Sequence, residues 1–176
     1  MNFFKRITLV LLTLMPMEAV AQIRAAGILS SLTAGGVQVE FESSERAYHS
    51  VTAGVNVDRH FKMVDSPGFF IGYDYCFTVL SHSSGPGTFS FLCGPGVQTG
   101  WLDNYGAKYR NGFVLAIDAC LAVEYEFFKR FAIGLRTSPT LGFHIQKTLE
   151  YPSMTIYKAG LVQGGVPQMT VKYCFL

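Results

Sequence analysis

One stretch constrains what this chain can fold into more than any other: Gly112–Gln146, two long alternating runs joined by a tight turn at Phe128–Arg130. In the first run Phe113, Leu115, Ile117, Ala119, Leu121, Val123, Tyr125 and Phe127 hold the odd positions. Val114, Ala116, Asp118, Cys120, Ala122, Glu124 and Glu126 hold the even ones. In the second run Phe131, Ile133, Leu135, Thr137, Pro139, Leu141, Phe143 and Ile145 alternate with Ala132, Gly134, Arg136, Ser138, Thr140, Gly142, His144 and Gln146. Successive side chains of a strand point to opposite faces. One face of this hairpin is therefore almost wholly apolar, and the other carries small residues and all of the charge. An ordinary strand is about 5–6 residues long, and these runs are more than twice that. Long apolar-out, polar-in strands with aromatics at both ends are the pattern of a transmembrane β-barrel. Phe113 to Tyr125 is twelve steps, about 40 Å along a strand, or roughly 30 Å once tilted, enough for an apolar band about 25 Å tall.

Composition agrees. Only 15% of residues are charged while 49% are hydrophobic, yet no helical span accounts for this. The longest charge-free run, Tyr75–Leu102, is broken by Gly85, Pro86, Gly87, Gly94, Pro95, Gly96 and Gly100, which argues for strands and a turn. A closed barrel exposes apolar surface to lipid without leaving backbone edges unsatisfied. Residues 1–21 have the layout of a secretory signal: Lys5 and Arg6, the apolar Ile7–Met15, then Ala19-Val20-Ala21. The apolar core is too short to span a bilayer as a helix, so residues 22–176 form the expected mature barrel domain.

Further alternating runs are Gly35–Ser43, Ala47–Asp58, Gly68–Leu80, Thr88–Gly100 and the end of Ala159–Leu176; Ile23–Leu32 is a strand candidate without clear alternation. The connections near Ser43–Arg46, Ser81–Gly87 and Phe128–Arg130 are short. Those near Arg59–Pro67, Leu102–Asn111 and Lys147–Lys158 are longer. Short periplasmic turns and longer outer loops make Ile23–Leu32 strand one, with an outer turn at Thr33–Gly36. The expected fold is all-β, an eight-stranded antiparallel up-and-down barrel whose lumen side chains can fill. A competing count pairs residues 154–161 with 168–176 and inverts the loops.

The expected inward face collects Glu40, Glu42, Asp74, Asp118, Glu124, Glu126, Arg136, His144 and Lys172. In a narrow lumen each charge needs a partner. A structural network with Arg136 and Lys172 as hubs is the expectation, Arg136 especially because its planar fork can bridge two carboxylates. Cys76, Cys120 and Cys174 share the inward parity and Cys93 the outward one; no CxxC occurs, and free buried thiols are expected. The four histidines are too scattered for a metal site, and no cofactor, metal or catalytic residue is expected. The one local Ser/His cluster, Ser81-His82-Ser83-Ser84, is taken as turn chemistry. Trp101, Phe113, Tyr125, Phe131, Phe143, Tyr173 and Phe175 are expected at the membrane interfaces, with Phe113 and Phe143 near the outer one and Tyr125 and Phe131 near the inner. The loops 102–111 and 147–158 suit protein or glycan contacts. No clustered basic face calls for nucleic acid.

The leader, the alternating strands and the ending Met169-x-Val171-x-Tyr173-x-Phe175 resemble the small outer-membrane β-barrels of Gram-negative bacteria, of the OmpX and OmpA-barrel kind. That resemblance implies outer-membrane lipid as solvent and the barrel-assembly machinery as a partner through the C-terminal strand, here followed by Leu176. Gly100-Trp101, Gly112-Phe113 and Glu124-Tyr125-Glu126-Phe127-Phe128-Lys129-Arg130-Phe131 are also similar to the TraO family of conjugative-transposon proteins, which implies a conjugative-transfer component. By analogy the function is structural or surface interaction without catalysis. A lipid-acting barrel enzyme is a second class. A soluble secreted barrel with its odd, apolar faces turned inward on an apolar ligand is a third.

Overall fold

The computed structural model describes residues 22–31, 34–56, 68–103, 111–147, 152–156 and 167–175. Ten strand segments form one antiparallel sheet: β1 (Ile23–Ser30), β2 (Ala34–Ser44), β3 (Ala47–Asn56), β4 (Gly68–Ser84), β5 (Gly87–Asp103), β6 (Asn111–Phe127), β7 (Phe131–Thr137), β8 (Thr140–Lys147), β9 (Pro152–Ile156) and β10 (Gln168–Cys174). They make eight staves. β7 and β8 both pair with β6 in one unbroken register, Leu121 opposite Thr137 and Asp118 opposite Thr140, so they are one strand interrupted at Ser138-Pro139. β9 lies against β8, and β10 lies between β7 and β1. They run in the same direction on the same side of that stave, and together they are the eighth. Ile23–Ser30 is thus the first strand, and Pro152–Ile156 belongs to the last rather than replacing it.

Pairing of β1 with β10 closes the barrel. Its stagger follows from the register. From Gly35, the route through β3 and β4 reaches β5 at Trp101, while the route through β1, β10, β7 and β6 reaches it at Phe91, ten residues away. Eight strands with that offset tilt by about 41° and enclose a cylinder roughly 17 Å across between Cα atoms.

Apart from the buried Ala47 and Gly87 beside the short turns, and from β4 beyond Val79, the odd residues of β2 to β8 face outward. Ile28, Val37, Phe69, Ile71, Leu115, Ile117, Ile133, Leu135, Leu141, Phe143 and Val171 are all exposed. Inside lie two apolar clusters, Leu29, Phe70, Val114 and Ala116 towards the long connections, and Tyr48, Cys76, Leu92, Cys120 and Ala122 towards the short turns, with the polar groups between and around them.

Besides a register shift at Ser43 beside the turn after β2, two β-bulges break the parity. One in β1 leaves Arg24 as an extra residue between Ile23 and Ala25; beyond it the odd residues Ala25 and Leu29 face inward. The other, at Val79 in β4, turns Leu80 outward, paired with Phe91. The expected turn at Ser81–Gly87 shrinks to Gly85-Pro86, and Ser81–Ser84 are strand residues. Gly85 supplies the left-handed φ of +59° at that corner, and Ser83 and Thr88 share a hydroxyl hydrogen bond just above it. The leader and, of the contact loops 102–111 and 147–158, residues 104–110, 148–151 and 157–158 lie outside the described residues.

Candidate functional site: the luminal ion pairs

Glu40, Asp74, Glu124, Arg136, His144 and Lys172 are buried inside the barrel, and Asp118 is half-buried. Apart from His144, they fall into two groups. Near the short turns Lys172 of β10 donates to Glu40 Oε1 at 2.6 Å and to Glu124 Oε1. Arg24 Nη1 stands 3.7 Å from the other Glu40 oxygen, and its guanidinium lies 4.4 Å from the centre of the Tyr48 ring. The Gln38 amide adds 2.9 Å bonds to Glu40 and Ser50. Two cations thus meet two carboxylates, and each carboxylate accepts a hydrogen bond, which is the condition for tolerating buried charge.

At mid-height Arg136 Nη2 donates to Asp74 Oδ2 at 2.6 Å, and its Nε to Ser138 Oγ at 3.0 Å. The bridging of two carboxylates expected of Arg136 is made by Lys172 instead. Arg136 donates from Nε to Ser138, which lies at the strand interruption. Asp118 joins this group through register, since Asp74 and Asp118 both pair with Gly96.

Glu42 and Glu126 are not brought into either group. Glu42 is exposed beside the turn at Glu45-Arg46. Glu126 lines the turn-side mouth with Arg24, Glu45 and Arg46, around a cavity of about 550 Å³. Arg24, Gln38, Ser50 and Tyr48 were missing from the expected network. The last three had the inward parity and could have been found. Arg24 has it too, but β1 shows no alternation from which an inward face can be read, and a bulge interrupts it there.

Cys76 and Cys120 meet across Gly94 of β5, their thiols within hydrogen-bonding reach; all four cysteines are free. The expected interface aromatics all face outward and are exposed. Phe69, Trp101 and Phe113 stand opposite one another in one cross-strand row, with Phe143 on the neighbouring stave. At the other end Tyr125, Phe127, Phe131, Tyr173 and Phe175 form a continuous series of ring contacts with centroids 5.2–6.4 Å apart. Among the described residues no group of three or more His, Cys, Asp or Glu side chains is arranged to hold a metal. Ser81–Ser84 are exposed and no acid–base partner meets His82 in the hydrogen bonds of the described residues.

No family model, no curated protein and no solved structure matches the chain.

Proposed function

We propose that this chain is an exported, integral outer-membrane β-barrel of structural or surface-interaction role, non-catalytic, with a lumen occupied by its own side chains. One observation carries the reading: the polarity of the wall. The outward face is a continuous apolar belt bounded by two aromatic rows, while the carboxylates, guanidinium and ammonium groups are inside. A soluble monomer rarely exposes an apolar patch beyond a few hundred Å², and a soluble barrel that carries an apolar ligand needs the opposite arrangement. In lipid the belt is solvated and the aromatic rows sit at the headgroups. The buried ion pairs across the lumen favour a plugged barrel over a pore.

The test is solvation. The chain without residues 1–21, refolded into vesicles of lipid brominated along the acyl chains, should show quenched fluorescence of its single tryptophan, Trp101. It should also aggregate in plain buffer. A monomer soluble in plain buffer would overturn the membrane reading.

A further inference from the structure

The mid-height group is one positive charge short. Asp74 on β4 and Asp118 on β6 flank Gly96 on β5, and a side chain at Gly96 would collide with the Oδ1 atoms of both. Its absence lets the two carboxyl groups approach each other across the intervening strand. Asp74 is only 1% exposed, and Arg136 holds its Oδ2 alone. Among the described residues, Oδ1 of Asp74 and Oδ1 of Asp118 have no hydrogen-bond partner, and both atoms are sealed from solvent.

The neighbours do not close the gap. Arg136 on β7 is the one cation of the group. Thr140, paired with Asp118, gives its hydroxyl to the Ser138 carbonyl. Ser50, paired with Asp74, receives the Gln38 amide. Cys76 and Cys120, two residues along the same strands, face each other. Lys172 is engaged with Glu40 and Glu124. Two carboxylates facing one gap with a single guanidinium repel each other in a medium that screens poorly.

We propose that Asp74 and Asp118 form a binding site for one small monovalent cation, a proton or a sodium ion, held between their Oδ1 atoms. As a proton it makes one carboxyl the O–H donor to the other, satisfying both orphaned atoms with a single bond. As sodium it takes two carboxylate oxygens as part of an oxygen shell completed by water. Either occupant brings the group, Arg136 included, to charge balance.

Two measurements on the refolded barrel in detergent separate the occupants. A carboxylic-acid C=O band in the infrared spectrum at neutral pH, lost in Asp118→Asn, assigns the proton. An unfolding midpoint that rises in sodium chloride relative to choline chloride at equal ionic strength, with the rise lost in Asp118→Asn, assigns sodium. The asparagine keeps the shape and can donate to Asp74, so it should fold; Asp118→Ala provides a second variant. Absence of both signals overturns the proposal, as does persistence of the signal in both variants.

Discussion

Replacing Lys172 with methionine probes the lumen most directly. Methionine keeps an unbranched chain but removes the ammonium that joins Glu40 to Glu124. Glu40 then retains Arg24 at 3.7 Å and the Gln38 amide. Glu124 retains no ion pair among the described residues. Removing one partner of a buried pair costs about 3–5 kcal/mol, because the charge left behind is neither paired nor hydrated. Two carboxylates are stranded here, but Arg24 partly compensates one and Glu124, 7% exposed, can turn towards the mouth. We therefore expect a loss of about 4 kcal/mol, close to a thousandfold in the folded-to-unfolded ratio. The assay is urea titration in detergent, followed by Trp101 fluorescence and by the gel mobility of the folded barrel. The midpoint should fall at an unchanged slope, since the surface exposed on unfolding is the same. Adding Glu124→Gln to Lys172→Met should recover most of the loss, because Glu40 then keeps Arg24 and no net charge stays stranded. A single variant within about 1 kcal/mol of the parent, or a double variant no better than the single, would refute the reasoning.

Three further outcomes follow from the geometry. Gly94→Ala should cost about 2–3 kcal/mol in the same titration, because its Cβ would lie 2.9 Å from Cys76 Cα and press on the Tyr75 carbonyl, both backbone. Cys76 and Cys120 should remain reduced: one strand separates them, so their Cα atoms are about 9.6 Å apart by strand spacing, beyond the roughly 7 Å a disulfide tolerates. Thiol titration of the air-oxidised, then denatured barrel should still count both, and mass spectrometry should find no 76–120 cross-link. Lys129→Gly should stabilise by about 1 kcal/mol, since Lys129 holds a φ of 56° that glycine adopts without strain; an unchanged or lower midpoint would contradict this.

The hairpin Gly112–Gln146 was legible because its period of two persists over both arms, and the structure keeps every apolar odd residue of it outward. The turn at Ser81–Gly87 was not. Ser, His, Gly and Pro signal turns by composition, but here the preceding residues extend a strand past a bulge at Val79, and no local signal marks that bulge. Ile23–Ser30 lacked visible alternation for a related reason. Its bulge and its small residues, Ala25, Ala26 and Gly27, leave little contrast between faces, so Arg24 escaped notice. The charged inward residues were visible from parity. Which of them touch was not, because Glu40, Glu124 and Lys172 are far apart in the chain and meet only through the stagger of the closed barrel.

The pairing of β1 with β10 has a consequence for how the barrel is made. This seam joins residues almost the whole described chain apart, such as Ala25 and Cys174, and contacts so distant in sequence form late in folding. Lys172 rides on β10. Until that strand docks, Glu40 and Glu124 lack their shared cation and their burial is opposed. Docking zips the last backbone ladder and neutralises the core in a single event. The sheet therefore has little reason to seal around an incomplete chain, and the ammonium acts as a latch that checks whether the last strand has arrived.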